Sequence, residues 1–201
     1  MTRLAACCVA VIAACSANTE RAAPASQHRH YGRNYFPNVE LRTQDNRKVR
    51  FYDDLLKDKI VVLNLFYSHC TGSCPPVMHN LSRVQKILKD RIGKDIFIYS
   101  ISIKPEEDTP EVLAEYAKFM DVGPGWYLLT GTPDDIELIR HKLGYIDPDP
   151  KRDADKSNHI GMVRYGNEPL ERWGATPGFG KPEWIARSIL FVDNPNTGVV
   201  R

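Results

Sequence analysis

Two stretches of the chain are apolar on nearly every position: KIVVLNLFY (59–67) and DIFIYSISI (95–103). That pattern suits strands covered on both faces by other layers. Between them Val77, Leu81, Val84 and Leu88 recur at i, i+4, i+7 and i+11, one stripe of an amphipathic helix. Pro75 and Pro76 suit its first turn, where a missing N–H costs nothing. Thr109 and Pro110 open a second helix, PEVLAEYAKFM, as N-cap and first position. WYLLTG (126–131) reads as a short strand. Thr132, Pro133 and Asp135 then begin the helix DDIELIRHKLG, which Gly144 ends. Ahead of these elements, VELRTQDNRKVRFY places two short strand-like runs around a Gln-Asp-Asn turn. Behind them, HIGMVRY (159–165), the turn GNEP and LERW predict a β-hairpin, and KPEWIARSILFV (181–192) a closing helix.

Alternation of strand and helix implies an α/β sandwich with parallel strands. A hairpin, then β-α-β-α-β, then a second hairpin and a helix is the thioredoxin-like layout. The expected fold is therefore α/β and thioredoxin-like, with an N-terminal β-hairpin and a central sheet flanked by helices. The 201 residues are 42% hydrophobic and 26% charged, enough for one globular domain with short extras at its ends. Formal net charge is only +2, no basic run stands out, and aromatic residues do not interleave with Lys or Arg. These features argue against nucleic acid as a partner.

Five cysteines change the picture. Cys7, Cys8 and Cys15 lie in MTRLAACCVAVIAAC, which has one early Arg, an apolar run and small residues at its end. That is the layout of a secretory signal, too short to span a bilayer as a helix. Ile12-Ala13-Ala14-Cys15 also resembles the lipobox of bacterial lipoproteins, in which the Cys becomes the lipidated first residue. Simple secretion or an uncleaved anchor are the alternatives. Residues 1–15 thus read as a signal or anchor and residues 16–37 as a polar tether in which His28 and His30 are solvated. Residues 38–201 are the folded domain. The expected location is the periplasmic side of a bacterial cell envelope, held to the membrane surface through the N-terminus.

Only Cys70 and Cys74 remain in that domain, within FYSHCTGSCPP (66–76), at a strand-to-helix junction. The pair could be a structural staple, a redox switch or part of a metal site. A disulfide persists in the envelope, but one closing so short a loop gains little from chain entropy. Cys74 stands near the helix N-terminus, where free N–H groups and the helix dipole should lower its thiol pKa. Nearby candidates read as structural: His69 faces away from Cys70, Met78 fills the core, and His79 and His141 lie on helix surfaces. Asp147 and Asp149 begin a stretch like a calcium loop, but Arg152 and Asn158 stand where such a loop needs Gly and Glu. The charged segment 147–158 is expected to be a solvated lid or partner contact.

Taken in order, KIVVLNLFYSHCTGSCPPVMHNLSRVQ, SISIKPEEDTPEVLAEYAKF, WYLLTGTPDDIELIRHKLG and SNHIGMVRYGNEPLERW resemble the Sco/SenC family over residues 38–175. The markers are C-x-x-x-C, the Thr-Pro-opened helix, the W…LTG strand and a single downstream His before a hairpin. The chain departs from the family pattern at Thr71, where Pro is usual, and at Lys104, where Asp is usual. The resemblance implies a copper-binding metallochaperone with Cys70, Cys74 and His159 as ligands and Cys70 and Cys74 able to form a disulfide. It also implies a partner in assembly of the copper centre of a respiratory cytochrome oxidase, or another copper chaperone. Two thiolates and an imidazole form a soft, open, three-ligand set suited to Cu(I), with the imidazole also accepting Cu(II). The alternative is a thiol–disulfide oxidoreductase using the same pair, although redox proteins of this fold generally use C-x-x-C.

Overall fold

A computed structural model describes residues 34–155 and 161–193 of the chain. In chain order it contains β1 (Glu40–Thr43), β2 (Lys48–Arg50), a π-helical turn (Phe51–Leu56), β3 (Ile60–Phe66) and α1 (Cys74–Ile87). Then come β4 (Ile96–Ser102), α2 (Pro110–Phe119), β5 (Trp126–Thr130), α3 (Pro133–Lys142) and α4 (Pro150–Ala154). The chain closes with β6 (Met162–Asn167), β7 (Arg172–Pro177) and α5 (Pro182–Phe191). The strands form one sheet in the order β2-β1-β5-β4-β3-β6-β7.

The two apolar runs become the parallel centre of that sheet, paired from Ile60↔Ile96 to Phe66↔Ser102, and every residue of β3 is buried. The second parallel pair is β4 with β5. Antiparallel strands extend both sides: β1, itself paired with β2, lies against β5, while β6 lies against β3 and carries β7. The N-terminal hairpin is therefore part of the sheet. Both predicted caps form. Thr109 accepts from the Val112 N–H and Thr132 from the Asp135 N–H. Gly144 has φ +70° just after α3, a conformation that favours glycine.

Three elements differ from the sequence expectation. The run after β2 turns helical over Phe51–Leu56 because Asn38 Oδ1, from outside the hairpin, accepts the Tyr52 and Asp53 N–H groups at 3.2 and 3.1 Å. β7 runs well beyond LERW, to Pro177. The charged segment is not simply solvated. Pro150–Ala154 within it form α4, and Asp153 receives both Arg140 Nη1 (2.8 Å) and Nη2 (2.7 Å). Arg140 is itself buried and also grips Glu137.

Residues 64 and 66 of β3 share one face of the sheet with Ser100 and Ser102 of β4. On that face α1 and α2 pack: the Met78 sulfur accepts from Asn64 Nδ2 at 3.5 Å, and the Tyr116 ring stacks on Phe66. Along the opposite face run Phe97, Tyr99 and Tyr127, stacked with centroids 6.3 and 6.1 Å apart. α5 packs against α1. Beneath α1 lies a buried polar chain. Trp126 Nε1 donates to Ser100 Oγ at 2.9 Å, and Ser100 Oγ donates to Asn64 Oδ1 at 2.6 Å. Removing the hydroxyl strands a buried donor on one side and a buried acceptor on the other, each costing about 1–3 kcal/mol. Ser100→Ala is thus expected to lower unfolding free energy by about 2–4 kcal/mol in urea titrations. A loss under about 0.5 kcal/mol would show that the chain adds nothing.

Candidate metal centre

The strand β3 ends at Phe66, and the backbone turns tightly, with the Cys70 N–H donating to the Tyr67 carbonyl at 3.2 Å. The turn delivers Cys70 to the mouth of the β3–α1 junction, 8% exposed, while Cys74 begins α1 and is fully buried. Both thiols are free. Pro75 and Pro76 follow at once, so two of the first-turn positions of α1 have no N–H to offer. The Cys74 N–H does, and it donates to Cys70 Sγ at 3.3 Å.

This contact corrects the expectation for the pair. Helix-terminal stabilisation falls on Cys70 and not on Cys74. Burial alone would push the Cys70 thiol up. The Cys74 thiol, the Cys74 and Gly72 N–H groups and the Tyr67 hydroxyl all hydrogen-bond its sulfur and together hold it below the ordinary thiol value. Cys74 moves the other way: burial pushes it well above that value, and its hydrogen bond to Cys70 adds to the effect. Tyr67 is pushed up to about 12, first by its hydrogen bond to Cys70 and then by burial. The result is an unequal pair, with Cys70 the more acidic thiol and Cys74 the more deeply buried.

Around the pair, Lys104 Nζ lies 4.7 Å from the Tyr67 ring centroid and 3.2 Å from Glu107 Oε1. The position where the family pattern has Asp thus holds a cation over the tyrosine that bonds Cys70. His69 is exposed, with Nδ1 3.0 Å from Ser68 Oγ, and Met78 is fully buried in the core, both as expected. His79 is exposed on α1. His141 is exposed and lies 2.9 Å from Glu137. Among the described residues, Glu137, His141 and Asp153 bring three possible ligand atoms within 4.8 Å of one another. Both carboxylates there are engaged by the buried Arg140 guanidinium, which makes the cluster an ion-pair knot. His159 lies outside the described residues, as do Cys15, His28 and His30. Tyr67, which bonds the Cys70 sulfur, was not singled out in the sequence. Its place at the end of the strand, three residues before Cys70, was the available signal.

A buried cysteine pair at the first β–α junction of a mixed sheet, with an antiparallel hairpin at each side, defines a thioredoxin-like protein with an unusually spaced thiol pair. A profile described as SCO1/SenC matches residues 33–163. The chain belongs to that family. It is 35% identical over 92 residues to mitochondrial protein SCO2 of Saccharomyces cerevisiae, a match covering 46% of this chain and 30% of that protein. It is 30% identical over 92 residues to the SCO1 protein homolog of Bacillus subtilis, covering 45% and 46% respectively. The chain thus spans at most about half the length of the curated relatives it matches. In structure it resembles a SCO1/SenC family lipoprotein from Bacillus anthracis (TM-score 0.62, 21% identity, 79% of this chain and 95% of that one). It also resembles copper-bound yeast Sco1 (TM-score 0.59, 20% identity, 77% and 91%) and copper-bound ScoI of Bradyrhizobium japonicum (TM-score 0.58, 24% identity, 76% and 96%). These likenesses establish the fold.

The two thiols should be separable by their chemistry. With iodoacetamide at neutral pH, alkylation is expected at Cys70 first, and mass mapping checks it. Tyr67→Phe removes a hydrogen bond that favours the Cys70 thiolate, so the pH profile of alkylation should move to higher pH. Cys74 labelling ahead of Cys70, or a profile unmoved by Tyr67→Phe, would contradict the assignment.

Proposed function

We propose that this protein is a copper metallochaperone of the cell envelope. It takes copper as cargo through Cys70, Cys74 and His159 and hands it on for assembly of the copper centre of a respiratory cytochrome oxidase. The observation that carries the reading is the free, buried Cys70–Cys74 pair, with Cys70 Sγ held by the Cys74 N–H at a strand-to-helix junction. Two sulfur donors with at most one imidazole make a soft site of low coordination number, suited to Cu(I) and open enough to release it. A closed structural zinc site would need a fourth protein ligand, and the folded domain holds no third cysteine.

His159 is carried over from the family pattern, and the hairpin that follows it in the chain meets the helix of the cysteine pair. Gly161, two residues on, accepts from the Gly178 N–H at 2.7 Å. A side chain at Gly178 would stand 2.9 Å from Val77 Cγ1, so glycine there lets the hairpin close onto the first turn of α1. Family membership and the copper-bound relatives add to the case. The same cysteines also suit a second reading, a thiol–disulfide oxidoreductase, favoured by the low-lying Cys70 thiol beside Cys74. A relative of the same fold is described as having a disulfide switch.

Competition with a Cu(I) chelator separates the two. Loss of a ligand should weaken copper binding well beyond the roughly 10–100-fold that outer neighbours of a site command. That loss is expected for His159→Ala, with the fold and the cysteine redox couple kept, whereas His69→Ala should change affinity little. Equal affinities of wild type and His159→Ala would overturn the ligand assignment and leave the oxidoreductase.

The envelope location rests on Ile12-Ala13-Ala14-Cys15 followed by the polar stretch 16–37. Mass spectrometry of the mature protein from membranes is expected to find lipid-modified Cys15 as the first residue. Retained Met1, or cleavage beyond Cys15, would overturn the lipoprotein form of the proposal.

A further inference from the structure

Asp108 is fully buried, and it lies 38 positions along the chain from Cys70. Its carboxylate sits between the ends of two strands. The Ser68 N–H donates to both oxygens, at 3.3 and 3.2 Å. Ser68 Oγ donates to Oδ1 and Ser102 Oγ to Oδ2. Ser102 Oγ in turn accepts the Lys104 N–H at 3.0 Å. Every described contact of the carboxylate is thus as an acceptor, and each ties down a residue just past the end of β3 or at the end of β4. The next residue, Thr109, caps α2. Asp108 is therefore fixed from behind by a helix start and holds in front the loop that leads to Cys70.

We propose that Asp108 is a positioning residue for the thiol pair. By holding Ser68 it fixes the Tyr67–Cys70 turn, and so sets how the Cys70 sulfur meets the Cys74 N–H and thiol. Without this brace, the Ser68 N–H is left with no partner in a part-buried loop, a cost that the loop relieves by moving. The turn is short, and the Cys70 N–H is bonded back to the Tyr67 carbonyl, so movement at Ser68 is passed directly to Cys70. The desolvation of this buried carboxylate is offset by its hydrogen bonds, all of which run to Ser68 and Ser102. Asp108 touches neither sulfur. It acts through Ser68.

The role is separable from mere stability by two readouts on folded protein held well below its melting temperature. One is Cu(I) affinity by chelator competition, which rests on the copper reading above. The other does not involve copper: the effective concentration of one thiol for the other, from equilibrium with glutathione. In that exchange the two thiols and one oxidised glutathione become the Cys70–Cys74 disulfide and two reduced glutathiones, so electrons and protons balance. Asp108→Ala is expected to lower both values by about 10-fold or more, the low end of what removing an outer support of a site does. Asp108→Asn keeps an acceptor for Ser68 and should restore most of the loss. Ser68→Ala, which leaves the backbone contact, should lie between and serves if Asp108→Ala does not fold. Should wild type bind no copper, the metallochaperone reading fails while the glutathione equilibrium still decides this one. Unchanged values for Asp108→Ala or Ser68→Ala, alongside a lowered melting temperature, would reduce Asp108 to a structural residue and overturn the proposal.

Discussion

The N-terminal turn of α1 has few donors to give, and the chemistry of the site depends on where the remaining one goes. Cys74 contributes an N–H, whereas Pro75 and Pro76 contribute none. That N–H is directed at Cys70 Sγ. The helix thereby favours negative charge on a neighbouring residue in the preceding loop, while its own first side chain turns into the core and is held neutral by burial. A pair identical in residue type becomes unequal in accessibility, acidity and surroundings. Tyr67, with Lys104 above its ring, adds to the same bias from the solvent side.

Much of the frame was legible because its signals are local. The buried strands β3 and β4 declared themselves as unbroken apolar runs, and α1 by one stripe of Val and Leu. The Thr-Pro starts of α2 and α3 are caps whose donors lie three residues away. Family motifs fixed the order of the blocks. What escaped notice depends on residues far apart in the chain. The π-helical turn relies on Asn38, α4 on an arginine thirteen positions upstream, and the loop before Cys70 on an aspartate forty positions beyond Ser68. None of these pairings has a period or a spacing that sequence could reveal. The expectation of a lowered pKa at Cys74 fails for a related reason. Proximity to a helix terminus identifies a favourable field, but only the coordinates show which sulfur the N–H meets.

The polar groups inside this molecule share a pattern. Asn64, Ser100, Asp108 and Arg140 are each buried, and each joins elements that apolar packing alone would leave free to slide. Asn64 and Ser100 lock β3, β4 and β5 under α1, and Arg140 pins the charged segment to α3. Apolar contacts are non-directional and set how much surface is hidden. Hydrogen bonds are directional and set register. The site lies where both kinds of restraint meet, at the open end of the central strands.

The double proline has one more consequence, for observation. Proline has no amide hydrogen, so Pro75 and Pro76 are silent in amide NMR spectra and in deuterium exchange. In the opening turn of α1 the Cys74 amide is left as an isolated probe, separated from Val77 by two blank positions. Its hydrogen is the one directed at the Cys70 sulfur. A single resonance therefore registers the charge state and occupancy of that sulfur, with no neighbouring amide on its C-terminal side to confuse the reading.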